Sequence, residues 1–227
     1  MENISIIIPT YNEKDNILDL INSIKNNISS KYEIIFADDN SNDGTLEIFK
    51  KIKIKNIRYI IHKGPNNLSK SVIIAAHLCR YENIIVMDGD LQHDPKYLNK
   101  IIDKYKKEKS DIVVACRNFK KIKGLSFIRI ITSRLLIRIV NITVGNLVSD
   151  PMSGFFFIKK KIFIRSVPKL YAKGFKILLD LLSVNKNCKI DEVSIKFKTR
   201  LNNHSKMSIK ILFNLMIFII KYLFKIK

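Results

Sequence analysis

The chain has 227 residues, 47% of them hydrophobic and 27% charged, with 41 Lys and Arg against 20 Asp and Glu for a formal net charge of +21. That length holds one sizeable α/β domain with its own core plus a short appendage, and the composition excludes a disordered chain. The positive excess points to nucleic acid, an anionic membrane surface or a phosphate-rich substrate, although Lys, Asn and Ile are abundant throughout and compositional bias competes with all three. Nucleic acid is the weakest, because the sequence has no zinc-ligand spacing and no basic module interleaved with aromatics. Cys79, Cys116 and Cys188 are odd in number and far apart, which predicts buried thiols of a reducing cytosol rather than a disulfide frame or a metal site. Nothing at the N-terminus resembles a signal peptide.

Strand-like and helix-like stretches alternate from the start. Ile4–Ile8 is a β-branched run ended by Pro9, and residues 12–27 carry Ile17, Leu20, Ile21 and Ile24 at helical spacing. Glu33–Ala37 is a second strand, stopped by the polar turn 38–44, and a helix follows over Thr45–Lys53. Ile57–His62 is a third strand, Leu68–Arg80 a helix and Asn83–Met87 a fourth strand running into Asp88. Pro95 opens a helix through Lys107, and Asp111–Cys116 is a fifth strand. Apolar strands separated by helices predict a mostly parallel sheet covered on both faces. Ligands of such sheets bind at the carboxyl ends of the strands, and the polar clusters Thr10–Glu13, Asp38–Asp43 and Asp88–Asp94 fall there.

The second half is less regular. Ile122–Val140 mixes bulky apolar residues with Arg129, Arg134 and Arg138, as in a basic amphipathic helix. Asp150–Gly154 is a turn before the apolar run Phe155–Ile158, Gly174–Val184 a helix and Ile190–Phe197 a late strand. The tail 207–227 is rich in Ile, Leu and Phe but interrupted by lysines, and a membrane span needs ~20 mostly apolar residues. An interfacial helix is favoured over a short span, with packing on the domain or on a partner as the third option.

The densest chemistry lies in Asp88-Gly89-Asp90-Leu91-Gln92-His93. Two carboxylates two residues apart at a buried strand's end can face one hard divalent cation, Mg²⁺ or Mn²⁺, which prefers carboxylate and phosphate oxygens. Pro9-Thr10-Tyr11-Asn12-Glu13, the segment Asp38–Thr45 and this motif occur in order, and together they resemble family 2 glycosyltransferases of the GT-A fold. Within that family, Asp150–Phe156, Gly174–Asp180 and the late Arg200…Ser205-Lys206 are similar to the polyprenyl-phosphate sugar transferases, above all the dolichyl-phosphate mannose synthases. The likeness covers residues 3–207. It departs from the family pattern at Gly89, commonly Ala, in the short segment between Arg117 and Arg129, and before Ser205.

The resemblance implies a GT-A domain over 1–206 and a C-terminal hydrophobic, basic helix over 207–227 at the membrane. It implies a donor site of Pro9, Tyr11, Glu13, Ala37, Asp39, Asp88, Gly89, Asp90 and Lys176, with Asp88, Asp90 and Gln92 holding Mg²⁺ or Mn²⁺. Arg117, Arg129, Arg134, Arg200 and Lys206 would surround the acceptor phosphate, and Asp90, Arg117, Arg200 and Lys206 would carry catalysis. The expected donor is GDP-mannose or UDP-glucose and the expected acceptor a polyprenyl phosphate at the cytoplasmic face of a membrane. A small membrane-anchoring subunit is an optional further partner. Such an acceptor is already ionised and needs charge neutralisation by Arg and Lys rather than a general base.

Two rivals stand beside this. A transferase acting on a sugar hydroxyl would need a base, for which Asp150 or Asp94 is available in the sequence; a non-catalytic paralogue would bind nucleotide or lipid without turnover. Simpler roles also compete: Asp43 as a helix cap, Asp150 as a turn former, the arginines of 129–138 as a solvated face, and His62 and His93 as structural or surface residues.

Overall fold

The computed structural model describes residues 2–117, 148–172, 174 and 176–197. The expected helix over 122–140, the tail 207–227, and Arg129, Arg134, Arg200 and Lys206 lie outside the described residues.

Seven strands form one sheet. They are β1 (Ile4–Thr10), β2 (Tyr32–Asp38), β3 (Ile57–Ile61), β4 (Asn83–Met87), β5 (Ile112–Arg117), β6 (Phe155–Lys159) and β7 (Ile190–Ile195), in the order β3-β2-β1-β4-β6-β5-β7. All pairings are parallel except those of β6, which runs antiparallel to both β4 and β5. The helices are α1 (Ile17–Asn27), α2 (Thr45–Lys51), α3 (Leu68–Leu78), α4 (Leu98–Glu108), α5 (Lys160–Ser166) and α6 (Ile177–Val184).

Strand side chains alternate between two buried faces, which is why the strands read as unbroken apolar runs. Ile4, Ile6, Ile8, Ile34, Phe36, Ile85, Met87, Phe155 and Phe157 pack on one face against Ile17, Leu20, Ile21 and Ile24 of α1, Phe49 of α2 and Leu98, Ile101 and Ile102 of α4. Ile7, Ile35, Ala37, Ile84, Val86, Phe156 and Ile158 pack on the other against Val72, Ala75 and Ala76 of α3, Ile162 and Phe163 of α5 and Leu178, Leu181 and Leu182 of α6. The spacing of those residues at three and four places in α1, α3, α4 and α6 gives each of these four helices one apolar stripe.

The sequence expectations shift at several element ends, and the helix expected from Pro95 opens as a 3₁₀ turn over Pro95–Tyr97 before α4. The first helix begins at Ile17, after a 3₁₀ turn over Lys14–Asn16, because Asn12 turns left-handed (φ 55°). The helix expected from Gly174 begins at Ile177, and Gly174 (φ 78°) instead offers its carbonyl to Ser69 of α3. The helix α5 was not anticipated at all. Cys79 and Cys116 are buried and Cys188 partly so, all three as free thiols, and burial pushes Cys79 up to about 12.

Candidate active site at the carboxyl ends of the strands

The loops after β1 and β2 are tied together by side chains. Ser41 donates its N–H and Oγ–H to Asp38 (2.8 and 2.6 Å), Thr10 Oγ1 donates to the same carboxylate, and the Asn12 N–H donates to Ser41 Oγ. Asp43 accepts from the N–H and Oγ–H of Thr45 and from the Lys14 N–H, so it caps α2 and braces the neighbouring loop. Gly44 holds the N-cap position of α2 itself, and Asp43, one residue earlier, accepts the first helical N–H. Glu13 is buried; its carboxylate accepts from Asn16 Nδ2 and its N–H donates to Thr45 Oγ1. Tyr11 sits half-exposed beside these loops.

Pro9 and Ala37 are registered partners on β1 and β2. Ala37 is fully buried in the core, backbone included, so the donor-site place expected for it is corrected: it packs behind the site, and Asp39 follows at the strand end. Asp39 is itself buried, with Oδ1 held by His62 Nδ1 at 2.9 Å and by Ser71 Oγ at 3.1 Å. His62 and Ser71 therefore join the site. Their only sequence signal was position, at the end of β3 and in the first turn of α3.

Asp88, Gly89, Asp90 and Gln92 extend directly from β4. The Gln92 N–H donates to Asp90 Oδ1 at 3.1 Å, and Leu91 turns left-handed (φ 60°). The Asp88 side chain is 45% exposed. Antiparallel pairing of β4 with β6 ends at Met87↔Phe155, which sets Gly154 across from Asp88. A Cβ built on Gly154 would overlap the Asp88 carboxylate, so that position requires the missing side chain. A Cβ on Gly89 would meet Ile8, Thr10 and the Pro9 carbonyl at 3.3–3.4 Å, closer than ordinary contact, so a side chain there needs its neighbours to give by a few tenths of an ångström.

His93 is 2% exposed, and burial pushes its imidazole down to about 4, so the ring is neutral at physiological pH. Its Nδ1 has no hydrogen-bond partner and lies 3.6 Å from Asp88 Oδ2. Asp94 is a 3₁₀ cap, accepting from the Lys96 N–H and paired with Lys96 Nζ at 2.9 Å. At the end of β5, Arg117 makes a bidentate pair with the fully buried Asp150, Nε to Oδ2 at 2.6 Å and Nη2 to Oδ1 at 2.9 Å. Its guanidinium lies over Phe197, just past β7, at 5.5 Å.

Lys176 precedes α6 in a segment pinned to the start of α3: Asn67 Nδ2 donates to the Ala172 carbonyl, and Ser69 donates its N–H and Oγ–H to the Gly174 carbonyl. Burial pushes Lys176 down to about 8. It also pushes Asp180 up to about 6, against the opposing Ala172 N–H and Lys176 charge.

The strand ends thus gather Pro9, Tyr11, Glu13, Asp39, Asp88, Gly89, Asp90, Gln92 and Arg117. Among the described residues no three His, Cys, Asp or Glu side chains converge as a complete metal site. The Asp88/Asp90 pair, with Gln92 nearby, fits a cation that takes one or two carboxylates and fills its other positions with phosphate and water.

A model described as Glycosyl transferase family 2 matches residues 5–166. A Pyrococcus furiosus protein named dolichol-phosphate mannosyltransferase is 36% identical over 219 residues, which cover 92% of this chain and 60% of that one; the chain spans less than two thirds of this relative. A protein of the same name from Saccharomyces cerevisiae is 31% identical over 242 residues, covering 98% and 85% of the two chains. The crystal structure of glucosyl-3-phosphoglycerate synthase from Mycobacterium tuberculosis with Mn²⁺, UDP-glucose and phosphoglyceric acid has a TM-score of 0.73 at 16% identity, covering 99% of this chain and 79% of that one. That likeness is one of fold, the GT-A fold. Sheet order, the Asp-Gly-Asp turn after β4 and the family match over most of the chain agree: this protein belongs to glycosyltransferase family 2.

Proposed function

We propose that this glycosyltransferase moves a hexose, mannose favoured, from a nucleotide-sugar to a polyprenyl or dolichyl phosphate. The relatives that align along nearly the whole chain carry the name dolichol-phosphate mannosyltransferase, and this observation carries the reading. The state of the two candidate bases supports it. Asp94 is committed to a helix cap and Lys96, and Asp150 is fully buried in its pair with Arg117. A hydroxyl acceptor needs such a base, whereas an ionised phosphate does not.

In this reading Asp39, held by His62 and Ser71, fixes the nucleoside end of the donor. Asp88 and Asp90, with Gln92, hold Mg²⁺ or Mn²⁺, which supplies charge neutralisation for the nucleoside diphosphate. Arg117 presents positive charge at the neighbouring strand end, and Asp150 keeps its guanidinium plane fixed. Lys176, Arg200 and Lys206 add positive charge for donor and acceptor phosphates. The phosphate oxygen attacks the anomeric carbon as the bond to the diphosphate breaks, which inverts the configuration in one displacement. No described helix is long and apolar enough to cross a membrane. Encounter with the lipid is assigned to the basic segment 122–140 and the tail 207–227.

The test is transfer from GDP-mannose and UDP-glucose to polyprenyl phosphate, with Mg²⁺, Mn²⁺ or chelator, for the wild type and Asp90→Ala. Cation-dependent transfer that falls by about 10²-fold or more in the variant is expected. Equal turnover of the variant, or turnover in chelator, contradicts the metal-assisted route.

A further inference from the structure

His93 is the buried polar group near the site that the proposed chemistry leaves unused. Its ring is wedged between Phe155 (centroids 5.5 Å apart) and Phe197 (5.2 Å, edge-on), and Phe197 in turn lies beneath Arg117. Such packing fixes the ring plane. Yet Nδ1 stays without a partner inside the protein, an arrangement that native structures avoid unless the group has a task. The polar atom it faces is Asp88 Oδ2, 3.6 Å away, which is about 0.6 Å beyond a normal N–H···O contact. This carboxylate also abuts Gly154, where no side chain fits. Asp88 is therefore bounded by a backbone wall and by an imidazole nitrogen. A bare nitrogen lone pair directed at a carboxylate oxygen is repulsive, whereas an N–H there is attractive. The carboxylates of Asp88 and Asp90 thus favour the tautomer that carries its proton on Nδ1.

We propose that His93 is a positioning residue for Asp88: its Nδ1–H closes onto Oδ2 and holds the carboxylate in the orientation that receives the divalent cation. The inference rests on the reading of Asp88 and Asp90 as the cation-holding pair. His93 touches neither cation nor substrate. Hydrogen bonds to ligating groups typically change metal affinity by about 10–100-fold when removed.

The experiment measures Mn²⁺ binding to the full chain by electron paramagnetic resonance, without sugar donor, for wild type, His93→Phe and His93→Asn. The Phe variant keeps an aromatic ring between Phe155 and Phe197. The Asn variant places a carboxamide N–H near the position of Nδ1. Expected are a Mn²⁺ affinity about 10–100-fold weaker in His93→Phe and within about 3-fold of wild type in His93→Asn. Wild-type affinity in His93→Phe overturns the inference, as does an Asn variant as weak as the Phe variant. If wild type binds no Mn²⁺ even when a nucleoside diphosphate is added to supply phosphate oxygens, the cation reading falls and this inference with it. Should His93→Phe fail to fold, imidazole ¹⁵N–¹H correlation spectra of the wild type decide: a proton on Nδ1 of His93 is expected, and a bare Nδ1 refutes the proposal.

Discussion

Gly154→Ala separates the geometry of the site from the stability of the fold. Gly154 stands across from Asp88 through the β4–β6 register, and a Cβ there lies well inside 3.0 Å of the carboxylate carbon and both oxygens. Ordinary contact needs ~3.5 Å, so the carboxylate must withdraw by about 1 Å or more. Because the Asp88 side chain is 45% exposed, it can swing toward solvent without moving the strands. The cost to folding is then small, about 1 kcal/mol, or a few degrees in Tm for a domain of this size. Misplacement of a reacting group by about 1 Å costs about 10²-fold in rate. Steady-state transfer kinetics with a thermal melt on the same preparation should show kcat down by about two orders of magnitude and Tm nearly unchanged. A Gly154→Ala enzyme with wild-type kcat would refute the argument that Asp88 must occupy this place.

Further outcomes follow from the same geometry. Asp150→Asn leaves Arg117 without its buried counter-charge and is expected to destabilise the protein by about 3–5 kcal/mol in denaturant titration; an unchanged midpoint would mean the pair is dispensable. Lys176 is held down to about 8, so it loses its charge as pH rises through 8, and the donor KM should rise there. Lys176→Arg should move that rise to higher pH, and a wild-type KM flat from pH 7 to 9 would remove Lys176 from the donor site. The folded chain binds fewer protons at Lys176 than the unfolded chain between about 8 and the usual lysine value, so this group's contribution to stability increases with pH across that window. Arg200→Ala and Lys206→Ala should each raise the acceptor KM while nucleotide affinity, measured by calorimetry, stays within about 3-fold; normal acceptor KM in both would count against a phosphate contact.

The parts of the fold that were legible in the sequence are those governed by local pattern. The β-branched runs of β1, β2, β4 and β5, buried on both faces, can hardly be read otherwise, and the polar turns that end them mark the site edge. The direction of β6 was not legible, because Phe-Phe-Phe-Ile fits either orientation and pairing with β4 and β5 is decided by contacts more than 40 residues away. The helix α5 was hidden because its lysines and arginine mask a short stripe of Ile162 and Phe163. In the site, Asp88 and Asp90 announce themselves by spacing. His62, Ser71 and His93 do not, since a lone histidine or serine has no pattern until tertiary packing sets it beside Asp39 or Asp88. The same holds for Asp150, whose role depends on Arg117, 33 residues away in sequence.

The central claim, that the acceptor is a lipid phosphate, is tested most directly by offering the purified chain GDP-mannose with polyprenyl phosphate and, separately, with the corresponding free polyprenol and a sugar-alcohol acceptor. The account predicts a glycosyl phosphate formed only with the phosphorylated lipid, with inverted anomeric configuration. Transfer to a hydroxyl acceptor, or a product that retains the donor's configuration, would contradict it.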